Sequence, residues 1–167
     1  EKCELTGGDA SDSSAVSCGI KIVSASPIIT DNYSINGGSS YTSHGISISG
    51  TVALPSSPEI LDNDYSANCI TGGAGTGVSV GINFSANTSG TVSGNKIKGC
   101  TNATTVVSCG INAQDSTPVI TGNIINGGYT ADVPGNWSYG IFIYGCEEGV
   151  NIYNNFISVD DLYWTCG

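Results

Sequence analysis

The sequence predicts an all-β fold, a right-handed parallel β-helix (β-solenoid) of about five coils with roughly 30 residues per coil. Three observations predict it. A Gly-Ile pair recurs five times along the 167 residues, an Asn recurs three residues after an Ile or Val, and a Gly pair or its remnant often follows. Five occurrences of a pattern with several parts indicate stacked repeats, in which each repeat contacts only its neighbours.

The Gly-Ile pair marks the first predicted strand of each unit, because another mostly apolar residue follows two positions after each Ile. Such alternation is typical of a strand with one buried face. We expect the strand to open at this pair and its isoleucines to stack inside the coils. These residues are Ile20, Ile46, Ile82, Ile111 and Ile141.

A second strand-like run lies later in each unit. Its apolar residues are Ile29, Ile60, Val92, Ile120 and Ile152, and the Asn residues that follow are Asn32, Asn63, Asn95, Asn123 and Asn155. Successive Asn residues are 31, 32, 28 and 32 positions apart. We expect each Asn to turn the chain through a positive φ, which Asn tolerates, and to bond the Asn above and below through its side-chain amide.

The spacing predicts one domain over residues 1–167. Its coils are expected at approximately 7–36, 37–71, 72–98, 99–126 and 127–159, and the tail 160–167 starts a further coil. Helical repeats would need long stretches of period 3.6 and few glycines, and a propeller blade would need four strands and more residues per unit. Neither pattern is present.

The charge balance is acidic and excludes some partners. Charged residues make up 11% of the chain, acids outnumber bases 14 to 4, and Arg is absent. A net charge of -10 with so few cations argues against nucleic acid and anionic membrane surfaces, and no apolar stretch is long enough to span a membrane. Because the chain does not begin with Met, we expect a removed secretory signal and a location outside the cell or at its surface.

The seven cysteines favour disulfides. No CxxC spacing occurs, and the single His44 cannot complete an ordinary zinc site. In an oxidising compartment we expect Cys100–Cys109 to staple the loop between them, followed by Cys3–Cys18 and Cys146–Cys166. Cys69 is then left unpaired or available to a neighbouring chain.

Two segments of the repeat resemble the right-handed parallel β-helix repeats of the pectate-lyase-like superfamily. These segments are SCGIKIVSASPIITDNYSINGG and SCGINAQDSTPVITGNIINGG. The closest likeness is to the Gly/Ser/Asn-rich versions in bacterial surface and extracellular proteins. The resemblance covers the chain from about Cys3 to Asp161. It implies the fold, but that superfamily mixes polysaccharide lyases, hydrolases and epimerases with adhesins and fibres.

The catalytic groups of those enzymes are missing, so we expect no enzyme and no catalytic residue. Lyases of that superfamily use an Arg or Lys base beside calcium-binding carboxylates, and here no Lys is expected beside an acidic cluster. The hydrolase motifs are matched only by Asp160-Asp161, and Ser43-His44-Gly45 only approaches a further one. Asp31 and Asp62 share a column, but its next members are Gly94, Gly122 and Asn154, so we expect these acids to be solvated or bridged by a cation.

Other binding roles are weaker. No cofactor is expected, although Glu147-Glu148 and Asp160-Asp161 at the end of the solenoid could bind Ca²⁺. A shallow glycan-binding face could use Tyr41, Trp137 and Tyr139. Among the Asn-x-Ser/Thr sequons, which are Asn32, Asn83, Asn87, Asn102 and Asn136, the candidates for glycosylation are Asn102 and Asn136, because both lie in predicted loops, whereas Asn32 belongs to the ladder.

The ends of the solenoid indicate self-association. No helical periodicity precedes the first strand, and an apolar tail of Leu162, Tyr163 and Trp164 lies near Cys166. Unpaired coil edges template other strands. We therefore expect a non-enzymatic extracellular structural protein, a surface or filament-forming subunit that assembles end to end. The alternative is a carbohydrate-binding or degenerate carbohydrate-active β-helix domain cut from a larger secreted protein.

Overall fold

A computed structural model describes residues 3–66, 69–101, 105–130 and 135–160 and the backbone of 165–166. Over this part of the chain the protein has 17 strands and no helix, so no membrane-spanning helix occurs in it. All strand pairs are parallel, and each strand pairs with the strand three places along the chain. The fold is thus an all-β solenoid of about five turns, as predicted.

Three sheets, here called A, B and C, form the sides of the solenoid, and the chain visits them in that order. Sheet A contains β1 (Glu4–Thr6), β4 (Ser34–Asn36), β7 (Ile70–Gly73), β10 (Lys96–Cys100), β13 (Ile124–Gly128) and β16 (Phe156–Ser158). Sheet B contains β2 (Val16–Val23), β5 (Thr42–Ser49), β8 (Val78–Phe84), β11 (Val107–Gln114), β14 (Trp137–Tyr144) and β17 (Thr165–Cys166). Sheet C contains β3 (Ile28–Thr30), β6 (Glu59–Leu61), β9 (Thr91–Ser93), β12 (Val119–Thr121) and β15 (Asn151–Tyr153).

The core is a set of aliphatic stacks. The register aligns the isoleucines of the Gly-Ile pairs in sheet B and the predicted Ile/Val column in sheet C. A third stack, from sheet A, consists of Ile35, Ile70, Ile97, Ile125 and Ile157. Side chains at the middle rungs of these stacks are almost fully buried. Like-on-like stacking removes apolar surface from water without needing a second layer of structure.

The Gly-Ile pair lies inside the sheet B strand, three residues after its start, and does not open it as predicted. The glycine is required where sheets A and B approach each other. A Cβ on Gly81 would lie 2.6 Å from Ile97 Cγ2, and one on Gly110 would lie 2.5 Å from Ile125 Cγ2. The strand therefore extends through the glycine, because only a residue without a side chain fits against the facing stack.

The corner between sheets C and A differs from the prediction in one respect. The left-handed residue is the one before the ladder Asn. This column consists of Asp31 (φ 56), Asp62 (φ 53), Gly94 (φ 69), Gly122 (φ 65) and Asn154 (φ 56). Gly, Asn and Asp are the residues that enter this conformation at low cost, which accounts for the composition of the column.

The Asn residues themselves form a continuous hydrogen-bonded ladder. The Asn63 side-chain amide donates to Asn95 Oδ1 at 2.9 Å, and the Asn63 backbone N–H donates to the same oxygen at 3.0 Å. The Asn95 amide also donates to the carbonyl of Ile60 in the previous coil. The same pattern recurs from Asn32 to Asn155. Polar groups that the corner buries are thereby satisfied.

A buried serine column, which was not predicted from the sequence, lies at the corner between sheets A and B. Its members are Ser17, Ser43, Ser79, Ser108 and Ser138, each two residues before a Gly-Ile pair glycine. The hydroxyl of Ser43 donates to the Gly38 carbonyl at 3.1 Å, and that of Ser138 donates to the Gly128 carbonyl at 3.0 Å. A five-fold Ser-x-Gly-Ile motif was the available signal for it.

The predicted disulfides are wrong, because the described cysteines face different surroundings. Cys109 is a free thiol that donates to the Ile111 carbonyl, while the Cys100 sulfur lies beside Thr105 Oγ1, so the two are not joined. Cys3 and Cys18 are free thiols as well.

The last predicted pair fails in the same way, because Cys146 is a free thiol that donates to the Ala113 carbonyl. The side chain of its predicted partner, Cys166, lies outside the described residues. Cys69 is buried and donates to the Asn32 carbonyl at 2.9 Å, so its thiol is not presented to a neighbouring chain.

Candidate functional site

The outer face of sheet B is the first candidate surface. The side chains of Ser17 and Ser43 point inward, and a Cβ on Gly45 would point inward as well. The side chain of the residue between the Ser and the Gly of each motif therefore points outward. This outward column consists of Cys18, His44, Val80, Cys109 and Tyr139. The strands β2, β5, β8, β11 and β14 contain no Asp or Glu, so this face has no carboxylate for acid–base catalysis.

Aromatic rings cluster at the C-terminal end of this face. The rings of Trp137 and Tyr139 are nearly parallel, with centroids 6.3 Å apart, and the Tyr139 and Phe142 centroids are 5.0 Å apart. Beside the rings, the Asn112 amide donates to Asn83 Oδ1 at 2.7 Å. A groove of about 300 Å³, lined mainly by valines, Cys109 and two of these rings, runs along the face.

Tyr41 does not belong to this cluster. It lies in the second coil, where its ring covers Gly77, and it lines a separate polar crevice with Asp12 and Ser39. Trp137 lies in the fifth coil. The structure therefore brings together two of the three residues predicted for a glycan-binding face and adds Phe142, whose outward position after the Gly-Ile pair was not recognised in the sequence.

His44 lines the N-terminal end of the groove and is half-buried. Burial lowers the pKa of His44 from 6.5 to about 4, so its imidazole is neutral at physiological pH. Its Nδ1 atom is buried and has no hydrogen-bond partner among the described residues. A buried polar atom without a partner costs free energy, which distinguishes this side chain from the satisfied ladder groups.

The acidic residues singled out in the sequence do not form one site. Asp31 and Asp62 occupy the left-handed corner. Asp160 pairs with Lys98 at 2.8 Å and accepts from the Asn126 amide. Burial would raise the pKa of Asp160, but the hydrogen bonds from Lys98 and Asn126 and the lysine charge lower it overall. Asp161 lies outside the described residues.

Glu147 and Glu148 lie in an exposed turn and line a crevice between sheets B and C together with Asp115. In the part of the chain that the structure describes, no three His, Cys, Asp or Glu side chains are grouped closely enough to hold a metal ion. Nothing in this geometry adds support for the Ca²⁺ site considered from the sequence.

The sequons differ in their surroundings. The Asn32 amide donates to Asn63 Oδ1, so a glycan there would break the ladder, and Asn83 accepts from Asn112. Asn136 directly precedes β14 and is partly buried, and Asn87 is exposed at a left-handed turn. Asn102 lies outside the described residues.

The last coil is the second candidate surface, because its apolar stacks are open. Ile143 is 44% exposed and Ile152 is 38% exposed, whereas Ile22 and Ile29, at the first rung of the same stacks, are 4% and 8% exposed. Sheet C has one strand fewer than sheets A and B, and β17 pairs only with Ser138 and Tyr139. Among the described residues, the open edge therefore runs along the rest of β14, along β15 and along β16. The predicted assembly residues Leu162, Tyr163 and Trp164 lie outside the described residues.

The structure thus defines the class of the protein, a parallel β-solenoid with an open last coil and no carboxylate in strands β2, β5, β8, β11 and β14 of sheet B. No family model, curated protein or solved structure matches this chain.

Proposed function

We propose that this chain is a non-enzymatic structural solenoid that associates with further copies of itself through the open edge of its last coil. The observation that supports the proposal is the exposure of Ile143 and Ile152 in stacks that are otherwise buried. An added strand would cover both side chains and pair the free backbone groups of β15. Each isoleucine covered in this way contributes roughly 1 kcal/mol at the exposure seen here.

The proposal also includes the location of the protein and its relationship to known β-helix proteins. We propose an extracellular location on the Ser/Thr-rich, acidic composition, and free thiols among the described cysteines add no support for it. Relationship to the pectate-lyase-like superfamily, and to its bacterial surface proteins in particular, rests on the repeat motif alone.

The proposal is tested by sedimentation velocity and negative-stain electron microscopy over a range of protein concentrations. We expect end-to-end oligomers or fibres that grow with concentration. Ile152→Lys places a charge on the open stack and should leave a monomer. Ile124→Lys is the matched control, because Ile124 is 49% exposed, points outward from sheet A in an inner coil and is in register with Lys96, and this variant should assemble like the unchanged protein.

Two results would contradict this proposal. One is a monomer at every concentration, and the other is assembly that Ile152→Lys and Ile143→Lys both leave unchanged. Far-ultraviolet circular dichroism of each variant shows whether the solenoid is intact, so that loss of assembly is not confused with unfolding.

Carbohydrate binding on the outer face of sheet B is a second candidate, favoured by the Trp137, Tyr139 and Phe142 rings. Aromatic faces beside amide groups suit the apolar and hydroxyl surfaces of a sugar. No lysine is among the described residues that line the groove beside the rings, and this lining together with the net charge of -10 favours a neutral glycan over an acidic one.

This second candidate is tested by affinity electrophoresis in gels that contain neutral β-glucan or polygalacturonate. We expect retardation by the neutral polymer only, lost in Trp137→Ala and Phe142→Ala. No unsaturated product should form from pectin or alginate, because sheet B lacks catalytic carboxylates. Such products, or retardation by polygalacturonate alone, would count against it.

A further inference from the structure

We propose that Cys18 and His44 together form a two-coordinate site for a soft monovalent metal ion, Cu(I), on the outer face of sheet B. The proposal is independent of end-on association and of glycan binding. It rests on the placement of the two side chains, on the partial exposure of the free thiol and on the unpartnered imidazole nitrogen.

The two residues are direct neighbours across a strand pair. Cys18 in β2 is in register with His44 in β5, and adjacent parallel strands lie about 4.8 Å apart. Both side chains point outward, because the flanking residues Ser17 and Ser43 bond inside the coils. A linear sulfur–metal–nitrogen unit, with bonds of about 2 Å each, fits between neighbouring rungs at this spacing.

Cys18 is a free thiol on the strand that pairs with the strand of His44. The thiol is partly exposed, so an ion can reach it from solvent. Cys109, by contrast, is buried and is flanked in its column by Val80 and Tyr139, neither of which is a nitrogen ligand.

The imidazole of His44 is in the form that binds metal. Burial keeps it neutral, and its Nδ1 atom is enclosed without a hydrogen-bond partner among the described residues. Metal coordination through that nitrogen would satisfy an atom that the fold otherwise leaves unpaired.

The donor set and the surroundings select the metal. No third ligand joins the pair, since described side chains form no cluster of three His, Cys, Asp or Glu donors, and Zn²⁺ requires more ligands than two. Thiolate and imidazole are soft enough to favour Cu(I). On binding, the thiol releases one proton to solvent, and the resulting thiolate, Cu(I) and neutral imidazole carry no net charge, so the half-buried site gains no uncompensated charge.

The test uses anaerobic titration of the folded protein with Cu(I) in competition with a chromogenic Cu(I) chelator. Three other thiols are first replaced, so that they do not compete for Cu(I). The replacements are Cys3→Ser and Cys146→Ser, whose thiols are accessible, and Cys166→Ser, whose side chain lies outside the described residues. We expect one Cu(I) per chain, and X-ray absorption should find one sulfur and one nitrogen ligand. Cys18→Ser should abolish this site. Loss of an outer-shell partner weakens metal binding by roughly 10–100-fold, so loss of the ligand His44 in His44→Leu should weaken Cu(I) binding by more than this. The same variant should lose the nitrogen ligand from its X-ray absorption spectrum.

Cys109→Ser is the matched control, because it changes a thiol in the same outward column without touching the pair, and it should leave the affinity unchanged. The proposal is wrong if copper binds through sulfur alone, if His44→Leu binds as tightly as its parent, or if no ion binds. Circular dichroism shows whether each variant is folded, and His44→Gln provides a polar replacement should His44→Leu fail to fold.

Discussion

Single residues at the corner between sheets C and A are selected for one backbone conformation. Gly122 has a φ of 65°, and a Cβ placed there would meet no atom closer than 3.9 Å. A glycine is therefore favoured at this position by the positive φ, and not because a side chain would lack space. The Asp residues of the same column have the same conformation, so the sharing of this column by Asp31 and Asp62 needs no catalytic or cation-binding explanation.

Gly122→Ala should accordingly destabilise the protein by about 1–2 kcal/mol, the cost of a left-handed residue with a Cβ. Gly122→Asn should cost clearly less, because Asn is the natural member of the column at position 154. Urea unfolding of the two variants gives the difference directly. Equal losses would show that space, and not φ, determines the residue at this corner.

The ladder residue Asn95 should be among the most sensitive polar positions. Its Oδ1 accepts from the backbone and the side chain of Asn63, and its amide donates to Ile60 and Asn123, all in buried surroundings. Asn95→Ala leaves several of these groups without partners, so we expect a loss of about 2–4 kcal/mol in urea unfolding. Asn151→Ala, at an exposed position on sheet C, is the control and should change stability by less than about 0.5 kcal/mol.

His44 should make stability depend on pH below neutrality. Its pKa is about 4 in the folded protein and 6.5 when solvated, so the unfolded chain binds more protons between these values. Stability should therefore fall as pH decreases from 6.5 towards 4, by about 2–3 kcal/mol in total. In His44→Gln this part of the pH dependence should disappear. A flat profile for the unchanged protein over that range would show that the imidazole is solvated.

At the scale of the strands, stability depends on whether a rung has a neighbour on each side. Ile48 and Ile143 belong to the same inward stack of sheet B, but Ile48 is fully buried while Ile143 is 44% exposed. Ile48→Ala should cost about 2–5 kcal/mol and Ile143→Ala about 1 kcal/mol or less at concentrations where the protein is monomeric. Urea unfolding measures both, and similar losses would mean that the last coil is already covered.

Period-two alternation and five-fold recurrence were enough to predict the fold class, the coil length and the members of the Ile columns. The strand limits were not predictable in the same way. The Gly-Ile pair of β11 was predicted to open the strand, but the hydrogen-bonded strand begins at Val107. Gly110 is not a boundary residue, because its close packing against Ile125 explains why a glycine is needed there.

The failures at the candidate sites have a common physical cause. Cysteine spacing contains no information about which side of a strand each thiol occupies, and so the pairing of Cys100 with Cys109 was wrong. Likewise Lys98 and Asp160 are 62 residues apart in the chain, and only the coil register brings them together. The aromatic pair of Trp137 and Tyr139 was found because its members are close in sequence and both precede the same glycine.

At the scale of the whole molecule, a solenoid is stabilised by the interfaces between neighbouring coils, so an end rung has half the contacts of an internal one. Here the two ends differ. The side chains of Ile22 and Ile29 in the first rung are almost fully buried, although β2 and β3 are edge strands, and the side chains of Ile143 and Ile152 in the last rung are exposed. Growth at the open end is therefore the expected mode of association, and the outer faces remain available for a glycan or a metal ion.

The most direct test of this account is the exchange of the Ile152 amide hydrogen, followed by mass spectrometry in dilute and in concentrated protein. The Asn151 N–H donates to Pro118 in the previous coil, so the next N–H along the strand points to the open edge. We predict fast exchange in dilute protein, slow exchange in concentrated protein, and fast exchange for Ile152→Lys at both concentrations. Exchange at Ile152 that stays fast while the protein assembles would place the contact elsewhere and contradict end-on association.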